Sequence, residues 1–251
     1  MTEGNRSSAG EARATVARGN PYRGTDLEGQ SPLAILEWAS ARLGSRLTFA
    51  TGFGVEGCVI VDLVGRHRLP IDLFTLDTGL LFPETYALWR ALETRYGVVI
   101  RGVSPERTVD EQAAIDGPSL WQRDPDQCCE RRKVAPLRRA LAGYDAWITA
   151  IRRDQTPERR AAKIVEPDPK FGLVKVNPLV AWTHDDVWAH VYAHDVPVNP
   201  LHAQGYPSIG CRPCTSAIVP GEHLRAGRWR GAGKQECGIH RQAPAEGIGK
   251  P

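Results

Sequence analysis

The sequence predicts an α/β fold, a single mostly parallel sheet with helices on both faces, followed by a mobile C-terminal tail. Three observations lead there. Short, near-continuous apolar runs recur at residues 47–50, 71–76, 98–103, 146–151 and 173–176. Helical patterns alternate with them, as in chains whose strands are covered on both faces. Beyond Cys214 the chain becomes rich in Gly and Arg and loses periodicity. A length of 251 residues allows one substantial domain, or at most two small ones. No internal repeat is present.

Taken in order, residues 1–30 are rich in Gly, Ser, Arg and Glu without an apolar period, and read as a disordered or loosely attached arm. A helix begins after Ser31-Pro32, with Ser as N-cap and Pro in the first turn; Leu33, Leu36 and Leu43 supply its buried face. The first strand, 47–50, ends in Thr51-Gly-Phe-Gly54 and passes into an amphipathic helix over 55–64. The second, 71–76, stops at Asp77-Thr-Gly79 and leads into a helix over 83–96. Three further strands follow at 98–103, 146–151 and 173–176. Thr183-His-Asp-Asp186 is a capping box that opens a helix to His194. The organisation expected is thus an arm (1–30), an α/β domain (31–229) and a flexible tail (230–251).

Composition is that of an ordinary soluble globular protein, 41% hydrophobic and 24% charged. No apolar run approaches the ~20 residues that cross a bilayer. A hydrophobic secretory core is absent, and Glu3 and Glu11 argue against a transit peptide. These features predict a cytoplasmic protein with no membrane partner, whose cysteines are reduced and bind metal rather than forming disulfides. The net charge of +3 does not suggest nucleic acid. Of 32 basic residues, six are lysine and 26 arginine. Arginine's rigid fork suits phosphate or sulfate, although biased genomic base composition gives the same excess.

Ligands of open parallel sheets bind beyond the carboxyl ends of the strands. Three loops there draw attention. Thr51-Gly-Phe-Gly-Val-Glu56 allows close backbone approach and opens a helix whose free N–H groups suit an anion; Thr51, Gly52 and Gly54 are its candidates. It is neither a Walker A loop nor a G-x-G-x-x-G fingerprint. Asp77, Thr78 and Gly79 place a carboxylate and a hydroxyl at a strand end, suited to a ribose or purine, or else to capping the next helix. The third loop, residues 150–160, carries Arg152, Arg153, Arg159 and Arg160 directly after an apolar strand, and a polyanion is their natural partner. Asp154 and Glu158 are the acids that would pair with some of them instead.

Six cysteines divide by spacing: the vicinal pair Cys128-Cys129, the pair Cys211-Arg-Pro-Cys214, and single thiols at 58 and 237. Cys-x-x-Cys serves zinc and iron–sulfur centres alike. Vicinal side chains diverge along a strand and are rotated by ~100° along a helix, which fits separate irons of a larger cluster better than one tetrahedral ion. Lys133 follows the vicinal pair and brings a positive charge near it. Cys58 lies in an apolar helix and reads as a core residue. Cys237 stands among glycines with Lys234 and His240 close by, a setting in which a thiol ionises and moves.

These motifs in this order resemble the assimilatory sulfonucleotide reductases, specifically the iron–sulfur type that reduces adenosine 5′-phosphosulfate. The resemblance covers about residues 45–240. It rests on Leu76-Asp-Thr-Gly79, Cys128-Cys129 with Arg132-Lys133, Arg152-Arg153 with Arg159, Tyr206-Pro-Ser-Ile-Gly-Cys-Arg-Pro-Cys-Thr215, Arg225, Arg228-Trp229 and Glu236-Cys-Gly-Ile-His240. It implies the adenine-nucleotide alpha-hydrolase-like fold and a 4Fe–4S cluster on Cys128, Cys129, Cys211 and Cys214. It implies a substrate site of the first loop, Asp77-Thr78-Gly79, Lys133 and the arginines 152, 153, 159, 225 and 228. Cys237 would be the nucleophile, forming an S-sulfonate that thioredoxin or a glutaredoxin-like dithiol resolves, with sulfite and AMP as products. A homo-oligomer is compatible with the sequence, and the related 3′-phosphoadenosine 5′-phosphosulfate is the rival substrate. The first loop departs from the family's Ser-Phe-Ser-Gly-Ala-Glu-Asp: Phe53 stands for a hydroxyl and Gly57 for a carboxylate.

Overall fold

The computed structural model describes residues 27–234 and 236–239. Among them six strands form one sheet: β1 (Leu47–Thr51), β2 (Asp72–Leu76), β3 (Ile100–Val103), β4 (Ala146–Ile148), β5 (Val165–Asp168) and β6 (Leu173–Val176), in the order β3-β2-β1-β4-β6-β5. Every neighbouring pair is parallel except β5 with β6. The helices are α1 (Pro32–Leu43), α2 (Val55–Arg66), α3 (Pro83–Tyr96), α4 (Val109–Asp116), α5 (Leu120–Arg123), α6 (Pro125–Cys129), α7 (Ala135–Ala140) and α8 (His184–His194). A π-helical stretch, Glu130–Val134, joins α6 to α7.

Alternation along each strand sorts the core into two layers. Leu73, Ile148 and Val174 face the larger layer, with Leu36 of α1, Ile60 of α2, Leu92 of α3 and Val187 of α8. Their neighbours Phe74, Trp147 and Leu173 face the other layer, against Leu137 and Leu141. Local signals set the helix ends: Ser31 Oγ accepts from Ala34 N at 3.2 Å, and Thr183 and Asp186 close the capping box of α8. β5 is an addition to the five strands expected. It carries Pro167, which a sheet tolerates at its edge, and its pairing with β6 is antiparallel.

α2 and α3 approach closely where α2 has a glycine. A Cβ at Gly65 would stand 2.5 Å from Tyr96 Cβ, a contact that forces the helices apart. Gly65→Ala is therefore expected to destabilise the fold by about 1–3 kcal/mol, seen as a lower urea midpoint with an unchanged slope.

Two features of the topology position the site. From β1 the chain builds outward through β2 and β3, then returns to lay β4 on the other side of β1. The order reverses between β1 and β4, which opens a crevice at their carboxyl ends. The second feature is the region beyond Cys214, the end of the expected domain (31–229) and the start of the expected tail (230–251). Thr215 forms an antiparallel bridge with Arg228, and Trp229 N donates to Cys214 O at 3.0 Å. Trp229, Lys234 and Cys237 are buried, so this region is packed onto the domain as far as Ile239. Residues 1–26 of the expected arm, His240 and residues 241–251 lie outside the described residues; Leu27, within the expected arm, is buried in the larger core. Among the described residues no helix is long and apolar enough to cross a membrane.

Candidate active site

A cavity of about 750 Å³ opens at the switch point, within the usual range for small-molecule sites. The loop after β1 contributes Thr51, Gly52 and Gly54, the turn after β2 contributes Thr78, and the loop after β4 contributes Arg152 and Arg159. Lys133, Cys211, Arg225, Arg228 and Cys237 complete the set of expected residues on its wall. Asp77, Gly79 and Arg153 are not brought to it. Asp77 Oδ1 accepts from Gly79 N at 3.0 Å and from the Tyr86 hydroxyl at 2.6 Å, so it closes the turn and does not cap the next helix, whose N-cap is Phe82. Gly79 supplies the left-handed turn itself, at φ 68°. Arg153 turns away to Ala162 O and Glu28, both at 2.9 Å.

The first loop explains its own departures. Thr51 Oγ1 accepts from Phe53 N at 3.1 Å across a tight turn in which Phe53 is left-handed at φ 57°. Such a conformation costs a bulky residue ~1–3 kcal/mol. Burial of its ring, stacked on Trp89 with centroids 5.7 Å apart, offsets that cost. A Cβ at Gly57 would stand 2.8 Å from Thr51 Oγ1, so an aspartate there would displace the threonine.

The arginines meet carboxylates inside the cavity as well as facing it. Arg152, with a side chain only 3% exposed, pairs with Glu56 and with Asp154 at 2.9 Å. Gln155 also donates to Glu56, at 2.9 Å. Arg159 and Arg225 share Glu236, at 2.7 and 3.0 Å. Of the two acids the sequence offered as competitors, Asp154 takes that role; the other partners come from Glu56 and Glu236. Glu236 lay within a quoted motif, Glu56 in the first loop. Each sits far along the chain from Arg152 or Arg159, so pairing was not readable from spacing. The requirement that a buried guanidinium have an acid was the available signal.

The cysteine pairs converge beside this wall. Cys128, Cys129 and Cys211 are buried and Cys214 half-buried, all as free thiols. The α6 geometry sends the vicinal thiols to different neighbours: Cys128 lies near Cys211, Arg132 and Lys133, whereas Cys129 is hydrogen-bonded to Cys237. Cys211 Sγ stands 3.3 Å from Thr78 Oγ1. Arg132 fastens this corner, donating from Nε to Thr78 O at 2.6 Å and from Nη1 to Gln112 Oε1 at 3.1 Å. A π-helical turn at this point is of the kind found at functional sites, and here it carries Arg132 and Lys133.

The electrostatics follow from burial and this crowding. The hydrogen bond to Cys237 and then burial push Cys129 up, and burial, followed by Cys211, pushes Cys214 up to about 11. Cys237 is held well below the ordinary thiol value, first by that hydrogen bond from Cys129 and then by Lys133, against its own burial. Burial opposes the charge of Lys133, but Cys211, Cys237 and Cys129 outweigh it and keep the ammonium protonated. Cys58 is pushed up by full burial and by Glu56, as suits a core residue.

Among the described residues no group of three or more His, Cys, Asp or Glu is placed to hold a metal ion. Four thiols with a cation in their midst nonetheless gather in one place, and thiolates are the ligands of iron–sulfur centres.

The phosphoadenosine phosphosulfate reductase domain, as a family model, matches residues 46–217, more than half of the chain. The chain belongs to this family. Among sulfonucleotide reductases, adenosine 5′-phosphosulfate reductase 1 of Bacillus subtilis (strain 168) is 44% identical over 231 residues, 92% of this chain and 96% of that protein. The adenosine 5′-phosphosulfate reductase of Geobacillus thermodenitrificans (strain NG80-2) is 46% identical over 217 residues, 86% of this chain and 92% of its own. A solved structure of the family, the phosphoadenylyl-sulfate reductase of Candida auris in a phosphate complex, has 31% identity and a TM-score of 0.68, covering 86% of this chain and 100% of that one. Candida glabrata FMN adenylyltransferase, at 14% identity and a TM-score of 0.51 over 83% of this chain and 73% of its own, shares the fold alone.

Proposed function

We propose that this protein reduces adenosine 5′-phosphosulfate to sulfite and AMP in sulfate assimilation. One observation carries the reading: the Cys237 thiol, the Lys133 ammonium and the guanidinium groups of Arg159, Arg225 and Arg228 all face one cavity at the switch point of a nucleotide-binding type of sheet. The names of the curated relatives agree with it.

The chemistry balances without a further oxidant. Cys237 Sγ, as thiolate, attacks the sulfur of the phosphosulfate; an S–S bond forms, the S–O bond to the nucleotide breaks, and AMP leaves with the electron pair. The cations of the wall offset the repulsion between an anionic nucleophile and an anionic substrate. A dithiol protein of the thioredoxin or glutaredoxin type then attacks Cys237 Sγ and expels sulfite. Its second thiol resolves the mixed disulfide, so the two electrons come from that dithiol. Thr51, Gly52, Gly54 and Thr78 serve the nucleotide from the first two loops, with Arg152 behind them holding Glu56.

Cys128, Cys129, Cys211 and Cys214 would hold a 4Fe–4S cluster. Bound there, it would supply a four-thiolate charge centre next to Lys133, fixing the segments that bear the cysteines.

The rival substrate is 3′-phosphoadenosine 5′-phosphosulfate, which the Candida auris relative's name favours. The four cluster cysteines favour the unphosphorylated nucleotide, since family members specific for the phosphorylated one usually lack them. Steady-state turnover with a thioredoxin dithiol tests this: kcat/KM is expected to be higher for adenosine 5′-phosphosulfate, and a preference for the 3′-phosphorylated nucleotide would overturn the assignment.

A further inference from the structure

Beside the hydrogen bond between Cys129 and Cys237, four kinds of contact tie the C-terminal segment to the domain. Lys234 Nζ donates to Pro125 O at 3.0 Å and to Asp126 at 2.6 Å. Lys170 Nζ donates to Gly238 O, and Ile239 packs on the second core layer. The fourth tie is Glu236, and it differs from the others. Its two oxygens receive Arg159 Nη2 at 2.7 Å and Arg225 Nη2 at 3.0 Å, and one of them also accepts from the backbone N–H of Cys237 at 2.9 Å. The remaining ties fix the ends of the segment; this one lies on the cavity wall and reaches the residue that bears the thiol.

The charge arithmetic makes the carboxylate necessary there. Arg159 and Arg225 are largely buried, with side chains 12% and 19% exposed, and burial works against the charge of both. Arg225 further opposes the charge of Arg159, and Arg228 that of Arg225, while Glu236 works in favour of both. Two buried guanidiniums side by side need an acid between them, and a buried charge-assisted pair loses far more when one partner is removed than an exposed one does. One carboxylate shared by two arginines still leaves a net positive charge on the wall for an anion.

We infer that Glu236 is the positioning residue that seats the Cys237 thiol over the cavity, by docking the C-terminal segment onto Arg159 and Arg225. The inference rests on the reading of Cys237 as nucleophile, and it adds a residue that acts through Arg159, Arg225 and the Cys237 backbone. Glutamine keeps the shape of Glu236 and loses its charge; aspartate keeps the charge on a shorter arm.

The test uses the full chain, purified anaerobically, as wild type, Glu236→Gln and Glu236→Asp. Amide exchange over residues 231–239 and mass-mapped alkylation of Cys237 at fixed pH, both without substrate, are expected to rise about tenfold in Glu236→Gln. The kcat for adduct formation is expected to fall about tenfold or more while KM changes less than about threefold. Glu236→Asp should lie between, and a melting temperature near wild type shows that the fold persists. Wild-type exchange and alkylation in Glu236→Gln would overturn the inference. So would a lower KM with an unchanged kcat, which would make the carboxylate a competitor of the substrate. Cys237→Ser in parallel keeps the two readings apart: turnover by that variant sinks the nucleophile assignment, whereas the exchange result reports on Glu236 alone.

Discussion

Cys237→Ser is expected to yield no sulfite above background from adenosine 5′-phosphosulfate, while its iron content and melting temperature stay at wild-type values. The exchange of one chalcogen for another leaves the packing against Cys129 and Trp229 nearly intact, because the side chain changes little in volume. Reactivity changes far more. A thiol ionises within reach of physiological pH and a serine hydroxyl does not, so the nucleophile is lost although the shape remains. Sulfite release by this variant at even a few per cent of the wild-type rate would place the attack elsewhere.

On the proposed four-cysteine cluster, Cys211→Ser is expected to lose the metal. Cys211 stands between Thr78 and the other thiols, and it acts on the charge of both Cys128 and Lys133. With one of four sulfur ligands gone, a cuboidal cluster has an iron without a protein thiolate. Iron and acid-labile sulfide per chain, measured on anaerobically purified protein, should be about four each in the wild type and near zero in the variant, with turnover lost in parallel. Zinc in the wild type, or iron retained in full by Cys211→Ser, would refute the four-cysteine assignment.

Much of the framework is legible in the sequence. The apolar runs at 47–50, 71–76 and 173–176 are strands because their residues are buried on both faces, and buried strands leave a continuous apolar signature. Ser31-Pro32 and Thr183–Asp186 fix helix starts through side-chain bonds that act within four residues. The apolar run 146–151 outlasts its strand: β4 ends at Ile148, and Thr149, Ala150 and Ile151 line the cavity while remaining apolar or buried. β5 escaped because an edge strand with one neighbour needs no apolar run and admits Pro167.

The site divides along the same line. Residues whose chemistry depends on type and local spacing, the cysteine pairs and the strand-end loops, were legible. Partnerships across the fold were not. Arg153 and Arg152 are adjacent and chemically identical, yet one packs against Glu28 at the surface and the other against Glu56 inside the cavity. That difference is set by β4 ending just before them and by α2 presenting Glu56 in its first turn. The C-terminal region shows the same limit: Trp229, Glu236 and Ile239 make contacts with segments far away in sequence, which local composition does not reveal.

The most direct test of the account is the mass of the wild-type protein after incubation with adenosine 5′-phosphosulfate in the absence of any dithiol. One SO₃ group per chain is expected, mapped by peptide fragmentation to Cys237 and released as sulfite on addition of a thioredoxin dithiol. An unmodified Cys237 with AMP nevertheless produced, or the adduct on a different cysteine, would contradict it.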